Sequence, residues 1–348
     1  MLGYVYHENK TLTLQEVPKP ELKPGYGALI RVLACSVCGT DIRTFRFGSG
    51  KIDDNRIIGH ELVGEIIELS PEYTGDFQVG DMISMAPAIG CGHCVSCKKQ
   101  KTNMCDELTT IGFEYDGGFA EYMAVPVSAF QMGNVYRLPD DWKDYTIFTI
   151  SEPLACAMNA QSYLKIEPGD DVLIFGSGII GCMHAELAKL SGAGQVFLAE
   201  PQQARLEQAA ALLPDVHFIN SSEKNLREEI MKYTGGKGAD VVIVACSVGA
   251  AQKEGMSLLA KCGRISLFGG LPGESSGFID SNLIHYRELS VYGVHASTPA
   301  QNKKAMSLIR DGVIQVDKYI DRYSLKDVEK AFQAAASGEI IKAVIVNH

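Results

Sequence analysis

Residues 171–190 read DVLIFGSGIIGCMHAELAKL, and this stretch decides the fold of the second half of the chain. The apolar run Asp171 to Phe175 predicts a buried strand, and Cys182 to Leu190 predicts a helix. Three glycines between them form the pattern G-x-G-x-x-G, which in this position makes a tight turn and admits a pyrophosphate at the helix N-terminus. The residues expected to bind the dinucleotide here are Gly176, Gly178, Ile179, Ile180 and Gly181.

A second strand is predicted from Gln195 to Ala199. It is followed by Glu200, nineteen residues after the last glycine of the pattern. An acidic residue there binds the ribose hydroxyls of NAD and repels the additional phosphate of NADP. Glu200 therefore predicts a preference for NAD. Arg205 follows on the next helix, where it either contacts the cofactor and weakens that preference or is a solvated surface charge.

Further strands, alternating with helices, are predicted at Asp240 to Cys246, Gly263 to Phe268 and Glu288 to Gly293. Such alternation is typical of an α/β fold with a doubly wound parallel sheet, the Rossmann type. Cys246 and Phe268 are expected at the carboxyl ends of their strands, where such sheets bind ligands. The first ~150 residues differ, since short strands and glycine turns predict a mainly antiparallel, barrel-like domain.

Composition excludes several classes of protein. The 348 residues suggest two domains, and a net charge of −10 argues against nucleic acid and anionic membranes as partners. No apolar run approaches the ~18 residues of a membrane span, and the N-terminus does not resemble a signal peptide. We therefore expect a cytoplasmic protein, in which the ten cysteines are more often metal ligands than disulfides.

Four cysteines fall in one glycine-rich loop with the spacing C-x2-C-x2-C-x7-C: Cys91, Cys94, Cys97 and Cys105. Four thiolates at this spacing can close a tetrahedron around one structural zinc ion. A chance cluster of free thiols is the alternative, but free cysteines are usually buried singly. His93 lies within the loop and is expected to be a bystander.

A second candidate site is spread along the chain. Cys38 forms a C-x-x-C pair with Cys35, which could be a redox pair, or Cys38 could be a metal ligand and Cys35 a small core residue. Downstream follow His60 and Glu61 in Gly59-His60-Glu61, and then Glu152. Taken alone, Glu152 could equally be an acidic residue at a helix N-terminus.

The motifs Cys38-Gly-Thr-Asp41, Gly59-His60-Glu61, Asp116-Gly-Gly-Phe-Ala-Glu-Tyr122 and Glu152-Pro-Leu154 occur in one order around the four-cysteine loop and ahead of the glycine turn. Together they resemble the zinc-dependent medium-chain dehydrogenases, and more narrowly the polyol branch of sorbitol and L-iditol 2-dehydrogenases. The resemblance covers essentially the whole chain. It implies a GroES-like catalytic domain at 1–154 and 296–348, an NAD-binding Rossmann domain at 155–295 and an active site in the cleft between them.

The resemblance also implies roles for the second site. A catalytic zinc would be held by Cys38 and His60, with Glu61 and Glu152 as ligand or near-ligand carboxylates, and Thr40 would accept the proton of a substrate hydroxyl. Thr40 could otherwise cap the following helix. Arg43 stands where many such dehydrogenases have a histidine, and because an arginine does not relay protons at pH 7, the proton exit route stays open.

The implied reaction is hydride transfer from a secondary hydroxyl of a polyol or sugar derivative to NAD, by a homodimer or homotetramer with two zinc ions per chain. L-threonine, a sugar acid or a phosphorylated polyol are alternative substrates. An anionic substrate could be bound by a cluster of basic residues that are otherwise solvated: Arg43, Arg46, Lys51 and Arg56. A non-catalytic NAD-binding sensor or a zinc-free quinone reductase would not need the intact ligand set. The remaining thiols are expected as small core residues: Cys35, Cys156, Cys182, Cys246 and Cys262.

Overall fold

The computed structural model describes residues 1–71, 73–271 and 279–347. The chain forms two compact units, the first comprising Met1–Ala155 and Ala296–His348 and the second Cys156–His295. No helix within the described ranges is long and apolar enough to cross a lipid bilayer.

The N-terminal part of the first unit consists mainly of strands. They are β1 (Leu2–His7), β2 (Thr11–Glu16), β3 (Tyr26–Ser36), β4 (Arg56–Ile57), β5 (Glu61–Leu69), β6 (Met82–Met85), β7 (Ala88–Ile89), β8 (Thr109–Thr110), β9 (Tyr122–Pro126) and β10 (Val135–Arg137). The helices between and after them are α1 (Gly39–Phe47), α2 (Val95–Lys98), α3 (Val127–Gln131) and α4 (Ser151–Leu164), with 3-10 turns at Thr102–Met104 and Tyr145–Ile150.

Strands and helices alternate through the rest of the chain. The strands are β11 (Asp171–Phe175), β12 (Gln195–Glu200), β13 (His217–Asn220), β14 (Ala239–Val244), β15 (Leu259–Leu267), β16 (Ser290–Gly293), β17 (Ile320–Ser324) and β18 (Lys342–Val346). The helices are α5 (Ile179–Leu190), α6 (Gln203–Leu212), α7 (Leu226–Tyr233), α8 (Gly249–Leu258), α9 (Ser281–Arg287), α10 (Pro299–Arg310) and α11 (Val328–Ser337), with 3-10 turns at Asp317–Tyr319 and Leu325–Asp327.

The main sheet of the first unit has the strand order β10-β6-β5-β3-β18-β17, with β9 also paired to β3. All of these pairings are antiparallel except β17 with β18. Strand β3 has eleven residues, so β9 and β18 can pair with different parts of it while β5 also pairs with it. This mainly antiparallel architecture is the one that the short strands and glycine turns predict.

The C-terminal segment packs onto the core of the first unit. Phe332 on α11 makes edge-to-face contacts with Tyr4, Phe45 and Phe119, at ring-centroid distances of 5.2, 5.6 and 5.4 Å. Apolar residues recur along α11 at helical spacing, which gives the helix one buried face. Strand β18 then runs antiparallel to β3, with Val344 opposite Ser36, and so brings the start of β18 next to the end of β3.

The second unit contains a six-stranded parallel sheet of order β13-β12-β11-β14-β15-β16. All five residues of β11 are buried, as expected of a strand covered by helices on both faces. The predicted α/β fold class, with a doubly wound Rossmann sheet and a GroES-like antiparallel domain, is confirmed.

Several elements differ from the sequence predictions. Helix α5 begins at Ile179 rather than at Cys182, because its first turn overlaps the G-x-G-x-x-G pattern, which is predicted to form the turn. Strand β13 has only four residues, too few for a reliable alternation, and was not predicted. The prediction of a core position for Cys262 is wrong, because this thiol is exposed on β15, where the residue has a φ of 61°.

Candidate functional site

The four cysteines of the glycine-rich loop come together. Their sulfur atoms all lie within 4.8 Å of one another, and Cys94 Sγ is 3.8 Å from Cys105 Sγ. This separation is too long for a disulfide, whose sulfurs are about 2.05 Å apart. It equals the edge of a tetrahedron built from Zn–S bonds of about 2.3 Å, which is about 3.8 Å. The donor set therefore fits one zinc ion.

Backbone amides around the loop point at the sulfur atoms. Cys91 N and Glu107 N donate to Cys105 Sγ at 3.2 and 3.3 Å, and Cys97 N donates to Cys94 Sγ at 3.4 Å. The amides of Cys97 and Asp106 favour the thiolate form of Cys94 and lower its pKa to about 6. These bonds hold the loop in a shape that presents four sulfurs to one point.

The second candidate site joins residues from two segments of the first unit. Ligand atoms of Cys38, His60 and Glu61 lie within 4.8 Å of one another. Cys38 is the N-cap of α1, and Glu61 is the first residue of β5. Gly59 turns the chain into this position with a φ of 98°, and a Cβ on it would lie 2.7 Å from the ring of Phe119. A side chain at Gly59 would therefore displace His60.

Asp41 lies behind His60. Its Oδ2 accepts a hydrogen bond of 2.9 Å from Cys38 N, and its Oδ1 lies 3.6 Å from His60 Nδ1. Burial lowers the pKa of His60, but the negative charge of Asp41 and Cys38 raises it more, to well above the usual value. Surroundings that favour a cationic imidazole equally favour a metal cation. Asp41 also matches the carboxylates that orient metal-bound histidines from the side away from the ion.

Glu61 is held in place by a buried lysine. Its Oε2 pairs with Lys342 Nζ at 2.5 Å and accepts a bond from Ser36 Oγ, while Lys342 Nζ also donates to the carbonyl oxygen of Val37 at 2.9 Å. The side chains of Lys342 and Glu61 are 2% and 1% exposed. Burial lowers the pKa of Lys342, and the charges of Glu61 and Cys38 more than reverse this, so that the lysine is cationic. Lys342 thus fixes the position of the Glu61 side chain beside Cys38 and His60.

Glu152 and Thr40 complete the surroundings of this group. Glu152 is buried in the first turn of α4 and is not one of the three residues within 4.8 Å, but its charge raises the pKa of both His60 and Lys342. Thr40 lies on α1, and its hydroxyl makes no hydrogen bond with any residue the structure describes. Cys38 and not Thr40 occupies the N-cap, which removes the capping explanation for this hydroxyl.

In the second unit, the glycine turn has the geometry that close approach to a phosphate requires. Gly176 has a φ of 100°, and a Cβ on Gly181 would lie only 1.8 Å from the carbonyl oxygen of Gly176. Gly178 is the N-cap of α5, and no side chain in the described part of the protein caps it. The amides of the first helical turn are thus left for a ligand.

Glu200 lies under this turn. Its Oε2 accepts hydrogen bonds from Ser177 N and Ser177 Oγ, both at 3.1 Å, and its Oε1 accepts one from Gln202 N at 3.1 Å. The Arg205 guanidinium lies over Gly178, since a Cβ on this glycine would be 3.3 Å from Arg205 Nη2. One acidic and one basic group therefore flank the turn.

The carboxyl ends of the neighbouring strands form the adjoining surface. Cys246 follows β14, and its Cβ lies 3.5 Å from the position of a Cβ on Gly176. Phe268 follows β15 and packs edge-on against the buried ring of His184, at 5.1 Å between centroids. Burial lowers the pKa of His184 to about 3, so that this ring is neutral. The structure thus places the predicted residues of the second unit along one edge of the sheet.

Comparison with known proteins agrees with this geometry. The family profile described as "Alcohol dehydrogenase GroES-like domain" matches residues 24–140, and that described as "Zinc-binding dehydrogenase" matches residues 180–311. The chain is 34% identical to the L-threonine 3-dehydrogenase of Pyrococcus furiosus over 96% of this chain and 94% of that protein. The chain belongs to the zinc-dependent medium-chain dehydrogenases.

Other dehydrogenases of the family are similarly related to this one. The sorbitol dehydrogenase of Halalkalibacterium halodurans is 32% identical over 94% of both chains. The structure of a zinc-binding dehydrogenase from Sinorhizobium meliloti bound to NADP superposes with a TM-score of 0.89 at 28% identity, covering 99% of both chains. The recognised family is confirmed, and its relatives include enzymes named for polyols and enzymes named for threonine.

Sequence reasoning missed the residues that support the site of this dehydrogenase. Ser36 and Lys342 are far from Glu61 along the chain, and nothing in the sequence pattern links them to it. Asp41 offered a signal, since an acidic residue three positions after a helix N-cap often bonds back to the cap. Ser177, which lies within the glycine pattern, offered none for its bond to Glu200.

Two of the four residues of the predicted basic cluster are engaged in contacts within the protein. Arg56 pairs with Asp53 and Asp116, and Arg46 donates to the carbonyl oxygen of Ala336. The side chain of Arg43 is exposed and forms no ion pair in the described ranges. Lys51 is likewise exposed and without an ion pair there, so Arg43 and Lys51 are the members of the cluster that remain as candidates to meet an anionic substrate.

Proposed function

We propose that this dehydrogenase transfers a hydride from a secondary hydroxyl of a polyol or sugar derivative to NAD and yields a ketone. The observation that carries the proposal is the group of Cys38, His60 and Glu61, whose ligand atoms lie within 4.8 Å of one another in a zinc-dependent dehydrogenase. One thiolate, one imidazole and one carboxylate are a donor set that zinc accepts.

Cys38 and His60 would hold the catalytic zinc, with Glu61 and Glu152 as the adjacent carboxylates. When bound, this ion supplies Lewis acidity that lowers the pKa of a substrate hydroxyl. Two protein residues would keep the ligands in position: Lys342 pairs with Glu61, and Asp41, whose Oδ1 lies 3.6 Å from His60 Nδ1, would orient the imidazole. The four cysteines of the loop would hold a second, structural zinc with no open position.

Thr40 would receive the proton of the substrate hydroxyl. Its own hydroxyl has no partner among the described residues, and it lies two residues after Cys38 on α1. A threonine hydroxyl both accepts and donates, so it can pass a proton onward. Arg43 does not continue such a relay, because a guanidinium stays protonated.

NAD is the proposed cofactor and accepts the hydride when bound. Glu200 supports this preference, since a buried carboxylate at the end of β12 disfavours a phosphate on the adenosine ribose. Ile179 and Ile180 would present their amides to the pyrophosphate, beside Arg205. Replacing Glu200 by serine should lower the ratio of kcat/KM for NAD to that for NADP by about tenfold or more, whereas Glu207→Gln on α6 should leave it unchanged.

L-threonine is the second candidate substrate. It is favoured by the 34% identity to the threonine dehydrogenase of Pyrococcus furiosus and by the exposed guanidinium of Arg43, which could pair with a carboxylate. Both candidate substrates have a secondary hydroxyl next to a carbon that carries a second polar group. The group of Cys38, His60 and Glu61 is compatible with either substrate.

A substrate screen combined with metal analysis tests the proposal. NAD reduction is measured with sorbitol, other polyols, sugar acids, polyol phosphates and L-threonine, and zinc is counted per chain. We expect two zinc ions, activity with polyols, and loss of both one zinc ion and activity in Cys38→Ser. Activity only with threonine or with an acid or phosphate would overturn the polyol assignment, and an active Cys38→Ser enzyme would overturn the metal site. Light scattering should give the mass of a dimer or a tetramer.

A further inference from the structure

A third group of metal-ligand side chains lies on the outside of the four-cysteine loop. Ligand atoms of Cys91, His93 and Glu107 all lie within 4.8 Å of one another. We call these three the outer group, and Cys91, Cys94, Cys97 and Cys105 the inner site. Cys91 belongs to both. The side chains of His93 and Glu107 are 70% and 68% exposed, whereas Cys97 and Cys105 are each 8% exposed.

The hydrogen bonds of His93 leave one ring nitrogen aimed at Glu107. His93 Nδ1 lies 3.0 Å from the carbonyl oxygen of Cys91, which can only accept, so Nδ1 carries the proton of this bond. The other ring nitrogen, Nε2, lies 3.4 Å from Glu107 Oε1. Two electron-pair donors that face each other at this distance are suited to share a cation.

The backbone couples the outer group to the inner site. Glu107 N donates to Cys105 Sγ, and Cys91 N donates to the same sulfur. The carbonyl group that fixes the ring of His93 is that of Cys91 itself. Each outer donor is thus attached directly to a segment that carries an inner ligand, so a short shift would move an ion from one set of donors to the other.

We propose that the outer group is a loading site through which zinc enters and leaves the inner site. This inference rests on the proposed structural zinc. Zinc from solvent is held first by Cys91, His93 and Glu107. It then keeps its bond to Cys91, while the bonds to His93 N and Glu107 O break and bonds to the sulfurs of Cys94, Cys97 and Cys105 form, with the thiol protons released to water. Four thiolates hold zinc more firmly than the mixed outer set, which gives the transfer its direction.

The proposal predicts an effect on the rate of metal exchange without an effect on metal content. Wild-type holoenzyme and the double variant H93Q/E107Q are mixed with excess Cd²⁺, and the thiolate-to-cadmium absorption is followed by stopped flow. The inner site has four of the five proposed metal-binding thiolates and so dominates this signal. We expect exchange to slow by about tenfold or more in the double variant, comparable to the effect of other outer partners of metal ligands. Two zinc ions per chain and an unchanged unfolding midpoint are expected in both proteins.

D106N is the matched control. Asp106 is exposed and adjacent to Glu107, so its replacement removes the same charge without touching the outer group. Exchange within about twofold of wild type in H93Q/E107Q would overturn the proposal, as would equal slowing in D106N or a third zinc ion retained per chain. If the wild type shows neither the absorption nor a second zinc ion, the structural zinc itself is absent, and that failure is distinct from an unchanged rate.

Discussion

Replacing Gly181 by alanine should disrupt the dinucleotide-binding turn from within. The new Cβ would lie 1.8 Å from the carbonyl oxygen of Gly176 and 3.0 Å from its carbonyl carbon. Both are backbone atoms, so neither can rotate away, and α5 must move off the end of β11. Overpacking of this kind costs roughly 2–3 kcal/mol. For a unit of this size, that corresponds to a melting temperature lower by roughly 5–10 °C.

Gly178→Ala is the matched control, because it adds the same methyl group one turn away. Its Cβ would meet only Arg205 Nη2, at 3.3 Å, and the end of a flexible side chain can shift. The backbone of Gly178 is extended, with a φ of −69°, which suits alanine. We therefore expect unchanged stability but weaker NADH binding, since the methyl group would occupy the approach to the helix N-terminus.

The two variants are compared by thermal unfolding and by fluorescence titration with NADH. Gly181→Ala should lower both the melting temperature and the affinity, and Gly178→Ala only the affinity. A Gly181→Ala protein that melts within about 1 °C of wild type and binds NADH normally would refute the close packing of α5 on the glycine turn. A lower melting temperature in Gly178→Ala would refute the expectation that the Arg205 side chain can move aside for a methyl group at this position.

Three further predictions concern the first unit. Lys342→Met should lower the free energy of unfolding of the metal-free protein in urea by about 3–5 kcal/mol, because Glu61 is left buried and unpaired. Adding Glu61→Gln to this variant should restore most of the loss. If the single and the double variant were equally unstable, the pairing of Lys342 with Glu61 would be contradicted. Cys97→Ser should lower the zinc content, measured by mass spectrometry, from two ions per chain to one. It should also make the cysteine loop sensitive to limited proteolysis. Retention of the second zinc ion would contradict the four-sulfur site. Asp41→Asn should weaken zinc binding by Cys38, His60 and Glu61 by about 10–100-fold in chelator competition, because His60 loses the carboxylate proposed to orient it. An unchanged zinc affinity would refute this role of Asp41.

Much of the fold was predictable from local pattern. Strand β11 has the predicted bounds, and β12 exceeds the predicted strand by one residue, Glu200, because runs of buried apolar residues between glycine turns are strong signals. Weak signals produced the errors, as at the four-residue strand β13 and at the start of α5, which overlaps the glycine pattern. The exposed thiol of Cys262 shows that the burial of a single residue cannot be predicted from its residue type alone.

The candidate site divides in the same way. The four-cysteine loop, the glycine turn and Gly59-His60-Glu61 are each contained in a short segment, so their residue types and spacing were enough to predict a metal site or a phosphate-binding turn. The bond of Asp41 to Cys38 follows a local capping pattern and could have been predicted, whereas the bond of Glu200 to Ser177 joins residues 23 positions apart that no sequence pattern links.

The sequence by itself determined which side chains are candidate ligands in this dehydrogenase, because side-chain chemistry and local spacing are properties of the chain. Only the tertiary structure decided how Glu61 is held. Lys342 reaches it from 281 residues away because β18 pairs with β3, and this pairing depends on packing α11 against Phe119 and Tyr4. Burial of the ion pair and the exposure of His93 and Glu107 beside the cysteine loop likewise follow from which surfaces the folded chain leaves to solvent.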